Sequence, residues 1–291
     1  MTTLVQAWTA ARDRLKAAQL DSPVMDARLL VQAAAGAERA DILNDPHRPL
    51  EPGQSDALDA FLARRERREP ISHILGAKGF WSIMLKVTAD VLTPRPETEQ
   101  LVGAALQIFP ERASFTVLDL GVGSGAILLA ILAERPAARG LGVDVSEDAL
   151  AVARENAANL GLSGRVVLLR GDWTAGLEDD AFDLVVSNPP YVRSGEIATL
   201  EPEVRDWEPH LALDGGSDGL AAYRLLAREI PRVLKPGGRF LVEIGHDQGA
   251  AVRDLFVAAG GEGVEVIKDL AGHDRVIMGS KKPLGNSADN S

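Results

Sequence analysis

The chain has 291 residues, a formal net charge of −11 at pH 7, and 46% hydrophobic against 25% charged residues. That length holds two domains, one with a sizeable core, and the acidic balance argues against broad binding to a phosphate backbone, which needs neutralising cations. The absence of cysteine excludes disulfides, thiolate catalysis and Cys-type zinc sites, and the scattered His47, His73, His210, His246 and His273 show no metal-ligand spacing, so no metal is expected.

Residues 1–73 read as a small helical bundle. The opening MTTLVQAWTAARDRLKAA is an amphipathic helix, placed over 4–20, and lacks a signal peptide's apolar block. No apolar stretch is long enough to span a bilayer, so a cytoplasmic protein without membrane contacts is expected. Asp21-Ser22-Pro23 caps and starts a second helix running to about residue 35. A shorter helix surrounds 39–43, and Pro52 or Gly53 opens the last, which ends before Pro70. On it, Arg64-Arg65-Glu66-Arg67-Arg68 lies near Asp56, Asp59 and Glu69 and reads as a solvated face with local ion pairs.

Residues 74–92 read as a linker in which 74–76 and 80–87 pair as strands. From 93 to 280 strand and helix alternate, which predicts an α/β domain with a parallel sheet and helices on both faces. The final strands, 264–268 and 275–279, are too close for a crossover helix and should form an antiparallel hairpin at one edge. The polar tail 281–291 reads as disordered.

Chemistry concentrates at four strand ends. Thr116-Val117-Leu118-Asp119-Leu120 runs into Gly121-Val122-Gly123-Ser124-Gly125 and then an apolar helix over 126–134. Glycines let a backbone approach a ligand closely, and the helix N-terminus behind them carries partial positive charge and free N–H groups. The spacing is G-x-G-x-G, not the G-x-G-x-x-G of dinucleotide folds. Gly142-Val143-Asp144 is a second strand ending in a carboxylate suited to both ribose hydroxyls of a nucleoside; as a plainer role, Asp144 and Ser146 cap the next helix. The strand 166–169 leads to Gly171-Asp172-Trp173, where Asp suits an exocyclic amine and Trp an adenine face. Finally the apolar run 182–186 stops at Asn188-Pro189-Pro190-Tyr191. Two prolines fix φ, so the carbonyls of Ser187, Asn188 and Pro189 form a rigid turn that suits a planar –NH2 group: acceptors for its hydrogens and a ring for its face. Together these pieces describe an adenosine-containing cofactor across the strand tips with an amide-holding turn beside it.

This ordered set resembles the class I S-adenosylmethionine-dependent methyltransferases, and within them the release-factor glutamine N5-methyltransferases, the PrmC/HemK family. The resemblance covers nearly the whole chain. Further signposts are Thr93-Pro94-Arg95-Pro96-Glu97-Thr98-Glu99, Glu201-Pro202-Glu203-Val204, Leu213-Asp214-Gly215-Gly216 with Asp218-Gly219, and Gly272-His273-Asp274-Arg275. It implies a Rossmann-like, doubly wound, seven-stranded sheet with an antiparallel C-terminal hairpin, preceded by a small helical domain that grips the substrate protein. It implies methyl transfer from S-adenosylmethionine, leaving S-adenosylhomocysteine, to the glutamine of the Gly-Gly-Gln motif in peptide-chain release factors; independently of the resemblance, a monomer is the default expectation. Asn188, Pro189 and Tyr191 would be catalytic: the Asn188 side-chain oxygen and Pro189 carbonyl accept from the amide, and Tyr191 packs on its plane. Gly121, Val122, Gly123, Ser124, Gly125, Asp144, Asp172, Trp173 and Asn188 would hold the cofactor. Pro190, Arg95 and Glu97 would join Asn188, Pro189 and Tyr191 around the substrate, although Arg95, Pro96 and Glu97 also read as a helix start. Val122 departs from the family's usual small polar residue, which removes a side-chain hydrogen bond but leaves the backbone contacts.

Rival readings use the same residues. A sister group methylates a glutamine of a ribosomal protein. An adenine-N6 nucleic-acid methyltransferase would use the same turn, against the acidic charge and the lack of a basic recognition region. Gly215-Gly216-Ser217-Asp218-Gly219 matches the G-x-S-x-G hydrolase elbow without a convincing strand before it. A non-catalytic scaffold would have no need of both the intact turn and Asp144.

Overall fold

A computed structural model describes residues 2–269 and 271–283. The chain divides into two compact units, one of residues up to 77 with 201–207, the other of residues 78–200 with those from 208 onward.

The first unit is helical: α1 (Leu4–Ala17), α2 (Pro23–Ala35), α3 (Arg39–Asn44), α4 (Pro52–Glu66) and α5 (Ile71–Leu75), with a one-turn helix at Pro202–Arg205. At the start of α1 the Thr3 hydroxyl accepts from the Gln6 N–H while the Gln6 side chain accepts from the Thr3 N–H, a reciprocal cap. At α2 Pro23 opens the helix, but Ser22 makes no side-chain cap bond; Gly36, at φ +56°, ends it. Leu4, Leu15, Leu30, Leu58 and Leu62 fill the core between these helices. The expected strand over 74–76 is instead the end of α5, with Ile74 and Leu75 helical and Gly76, at φ +68°, capping it. The Pro70 carbonyl accepts from the N–H groups of His73 and Ile74, and Ile74 is buried in the helical core.

The basic cluster on α4 also differs from expectation. Arg65 is buried, paired with the equally buried Asp26 at 2.8 Å and with Glu203 at 3.0 Å. Arg68 shares Glu203, and Arg64 pairs with Glu69. The sequence pattern showed the charges but not that helix 202–205 covers them.

The second unit begins with the hairpin β1 (Ala77–Phe80) and β2 (Ile83–Lys86). Then follow α6 (Glu99–Ile108), β3 (Thr116–Leu120), α7 (Ala126–Glu134), β4 (Arg139–Asp144), α8 (Glu147–Asn159), β5 (Val166–Arg170), β6 (Phe182–Ser187), α9 (Ala221–Val233), β7 (Leu234–Glu243), α10 (Gly249–Ala258), β8 (Glu262–Lys268) and β9 (Asp274–Ser280). The sheet has seven strands in the order β5-β4-β3-β6-β7-β9-β8. β5 through β7 run parallel, and β9 is antiparallel to both β7 and β8. The expected hairpin is therefore present, with its second strand inserted next to β7.

Side-chain alternation sorts the strands onto two cores. Val117, Leu184 and Val186 face one cluster with Leu101, Leu128 and Leu150. Leu118, Leu120 and Val185 face the other with Tyr223, Leu226 and Phe256. The parallel strands β3 and β6 are where the order of strand addition switches from one side of the sheet to the other, the place where open α/β sheets bind ligands. The expected tail from 281 falls mostly outside the described residues. Lys281 itself is fixed: its amide donates to Gly238 O, its carbonyl accepts from Gly237, and its ammonium pairs with Asp180.

Candidate active site

β3 and β6 lie side by side with Leu120 opposite Ser187. The buried Ser187 hydroxyl donates to Leu120 O at 2.7 Å and ties the two strand ends together. The Gly-rich turn leaves one end and Asn188-Pro189-Pro190-Tyr191 the other. A cleft of about 570 Å³ opens over both.

Gly121 and Gly123 have φ of +75° and +53°, and a Cβ added to either would meet nothing within 4 Å. Their conformation favours glycine, and both line the cleft. Val122 and Ser124 line it as well; the Val122 side chain is packed so closely on Gly142 that a Cβ there would lie 2.7 Å from Val122 Cγ2. Gly125 does not line it. It caps α7 at φ +84°, with Leu129 Cδ1 only 2.8 Å from where its Cβ would be.

The turn is pinned by its backbone. Gly121 and Val122 N–H both donate to Val143 O, and Gly123 N–H donates to Asp144 Oδ2 at 2.9 Å. Asn156, buried on α8, donates to Ser124 O and exchanges two hydrogen bonds with the Lys86 backbone. Asp144 Oδ1 accepts from Ser146 N–H, and the Ser146 hydroxyl caps α8. Both readings of Asp144 are therefore compatible: two acceptor positions are used locally, and a carboxylate has about four. Asp172 and Trp173 complete this end of the wall, Trp173 at φ +51° with its side chain against the second core. Beneath the turn lies Asp119, fully buried, whose Oδ2 accepts from Leu128 N–H and whose Oδ1 is unpartnered. Burial pushes its carboxyl up to about 7.

At the other end Asn188 and Pro190 line the cleft, whereas Pro189 and Tyr191 do not. The Tyr191 side chain packs against the second core, and burial raises its hydroxyl to about 12. The Tyr191 ring thus stands on the core side of the turn, outside the cleft lining. Arg95 lines the cleft and pairs with the buried Glu208 at 2.8 Å; Glu97 does not line it. Pro96–Thr98 is a 3-10 turn leading into α6, so the segment is also a helix start.

The glycines near 215 brace this turn. A Cβ on Gly215 would lie 2.8 Å from Tyr191 Cα, and one on Gly219 2.5 Å from Tyr191 O. Val192 and Asp214 form a parallel bridge. Gln248, 4% exposed, donates to the carbonyls of Tyr191 and Gly219 and accepts from Gly245 N–H. Ser217 is exposed after a 3-10 turn over His210–Ala212, not a strand, so the hydrolase-elbow geometry is missing.

Sequence reading missed Asn156, Gln248 and Glu243, and gave Thr98 no role beyond its place in the 93–99 segment. Only Glu243 carried a local signal, a carboxylate closing the apolar run Phe240-Leu241-Val242. The others are ordinary helix or turn residues whose partners are distant in the chain.

The profile of the PrmC N-terminal domain matches residues 6–76, and that of a methyltransferase domain matches residues 111–264. The chain is 63% identical over 286 residues to the release factor glutamine methyltransferase of Caulobacter vibrioides, covering 98% of this chain and 99% of that protein. It is 40% identical to the one of Geobacter sulfurreducens, covering 96% and 99%. A solved methyltransferase from Pyrococcus furiosus shares the fold, with a TM-score of 0.51 at 19% identity over 68% of this chain and 88% of that one. Sheet, cleft and profiles together define a methyltransferase enzyme. More narrowly, the chain belongs to the release factor glutamine methyltransferase family.

Proposed function

We propose that the protein transfers a methyl group from S-adenosylmethionine to the side-chain nitrogen N5 of the glutamine in the Gly-Gly-Gln motif of peptide-chain release factors. The observation that carries this reading is the meeting of a glycine cradle and Asn188 in one cleft, in a chain 63% identical to a relative named for that substrate.

The residues present fit the cofactor. Gly121 and Gly123 leave open space where side chains would stand, which suits the methionine part and ribose. Asp144 keeps acceptor positions for ribose hydroxyls, and Asp172 with Trp173 would frame the adenine. Bound there, the cofactor would supply a methyl on a sulfonium, already activated for in-line displacement.

The chain's own work is on the glutamine. An amide nitrogen is a poor nucleophile because its lone pair is delocalised into the carbonyl. As the methyl arrives, the nitrogen becomes pyramidal and gains positive charge. Asn188 Oδ1, on the cleft wall, would stabilise the pyramidal group of the transition state more than the planar ground state, and the Pro189 carbonyl would join it only if substrate binding brought the amide to that buried residue. The nitrogen then loses one proton to solvent, so no base is needed beforehand. Tyr191 would support the turn from the core side. The helical unit is assigned recognition of the factor, and action on a translation factor would place the enzyme in the cytoplasm.

Radiolabelled S-adenosylmethionine with unmethylated release factor tests the reading, wild type beside a factor carrying Gln→Ala in Gly-Gly-Gln. Label on the wild-type factor alone is expected. Equal label on both would move the target to another residue, and label on neither would direct the search to ribosomal proteins and then nucleic acid.

A further inference from the structure

One buried group behind the cleft has no part in the reaction described so far. Glu243 closes β7, is 1% exposed, and its Oε2 has no partner. Val242 pairs with Ser187 across β6 and β7, so Glu243 stands beside Asn188, and the side chains of Thr98 and Asn188 favour its ionised form. Asn188 Nδ2 also donates to Thr98 Oγ1 at 3.3 Å. Thr98 is buried and sits on the 3-10 turn before α6.

We infer that Glu243, together with Thr98, is a positioning residue that holds the Asn188 amide with its oxygen toward the cleft. The inference rests on the role of Asn188 proposed above and supplies what that role leaves open, namely which end of the amide faces the substrate. An ionised carboxylate only accepts hydrogen bonds, and a hydroxyl has a single hydrogen to give. The Thr98 hydrogen therefore goes to Glu243, and the Thr98 oxygen is left to accept. Asn188 must answer with its –NH2, one hydrogen toward Thr98 and the other toward Glu243. The reversed amide would set its oxygen against a carboxylate in a dry interior, where an unpaired polar contact is costly. Oδ1 is thereby left for the substrate –NH2.

The lock has a pH dependence. Burial pushes the Glu243 carboxyl up to about 7. Arg275 on β9 favours its ionised form and Glu97 opposes it. Tyr191 and Tyr223 also face it, and the Tyr223 hydroxyl donates to the Glu243 backbone carbonyl at 3.1 Å. Above this range Glu243 is acceptor-only and the amide is fixed. Below it a protonated carboxyl can donate, and the preference for one amide orientation weakens.

The test uses the full chain and four variants: E243Q, T98V, T98S and N188A. Methyl transfer to release factor, cofactor affinity by calorimetry and the side-chain 15N–1H resonances of Asn188, assigned by their loss in N188A, are measured across the neutral range. In the wild type the Asn188 resonances should titrate with a midpoint near 7, and in E243Q they should be flat. Turnover should fall about 10- to 100-fold in E243Q and T98V, with cofactor affinity kept and T98S close to wild type. A merely structural role would lower the melting temperature in E243Q and T98V but leave the turnover of the folded enzyme and the Asn188 resonance positions in T98V as in wild type. Wild-type turnover in E243Q and T98V beside an inactive N188A would overturn this inference and leave the role of Asn188 standing. Full turnover in N188A would instead sink the role of Asn188 itself, and the resonances would still report its orientation. If E243Q does not fold, T98V against T98S carries the same decision.

Discussion

The two ends of the cleft are built by opposite means. At the cofactor end the chain uses its own backbone: open glycines, two N–H groups on Val143 O, and Asp144 holding Gly123 from one strand away. At the Asn188 end the short turn cannot hold itself, and support comes from Gly215, Gly219 and Gln248, with Thr98 and Glu243 behind the amide. A turn that presents backbone to a ligand needs room. A turn that must aim one side chain needs a wall behind it.

If that division holds, damage at the two ends should separate into turnover and affinity. The largest effect is expected for N188A, which removes the acceptor proposed to act most strongly in the transition state. Turnover should fall by about 10²- to 10³-fold or more, while calorimetry finds cofactor binding largely intact. Full activity would dismiss the assignment, and lost cofactor binding would mean that Asn188 also holds the methionine part.

D144A should do the reverse. If Asp144 accepts from a ribose hydroxyl as proposed, its removal forfeits about 1.5–3 kcal/mol per hydrogen bond, so Kd for the cofactor should rise by about 10- to 100-fold. The variant also frees Gly123 N–H, adding to the loss. Unchanged affinity would refute the nucleoside role and leave Asp144 as a local cap alone.

A sharper contrast pairs two glycines. In G219A the new methyl would lie 2.5 Å from Tyr191 O and 2.7 Å from Gln248 Nε2, at φ +74°. The left-handed conformation alone costs about 1–2 kcal/mol, and the displaced carbonyl belongs to the Asn188 turn. G219A should lower turnover about tenfold with cofactor Kd within about twofold. In G123A the methyl meets no protein atom within 4 Å but enters the cleft, so cofactor affinity should suffer instead. The same pattern in both variants would erase the distinction between the ends.

This division also explains what could be read from the sequence. The β-Gly-α-β-Asp unit is contiguous and self-supporting, so its glycines, Asp144 and flanking elements follow from local pattern. The seven-stranded sheet follows from strand and helix alternation together with the family resemblance, and the C-terminal hairpin from loop length. Asn188 and its prolines were equally visible, but the orientation of Tyr191 was not: an aromatic ring beside a turn can face ligand or core, and only packing against the second core decides. Gln248 follows the Asn188 turn by 57 residues and Thr98 precedes it by 90, beyond any periodicity. In the helical unit Ile74 read as strand because a short apolar run is ambiguous until the core it joins is known.

The smallest expected effect concerns Asp119, under the self-supporting end. Its folded value near 7 lies above the roughly 3.9 of an unfolded aspartate. The folded chain therefore holds a proton that the unfolded chain releases. Stability from this proton is complete below the unfolded value and is lost as pH rises through about 7. Wild type should thus melt at a lower temperature at pH 8 than at pH 5 on account of this site, with Glu243 acting in the same direction. D119N has no proton to lose, so its melting temperature should fall less over that interval, by roughly 2–4 °C for each kcal/mol removed. An undiminished fall in D119N would mean that Asp119 finds a charge-stabilising partner in solution, and the cofactor end would then lean on a buried side chain just as the Asn188 end does.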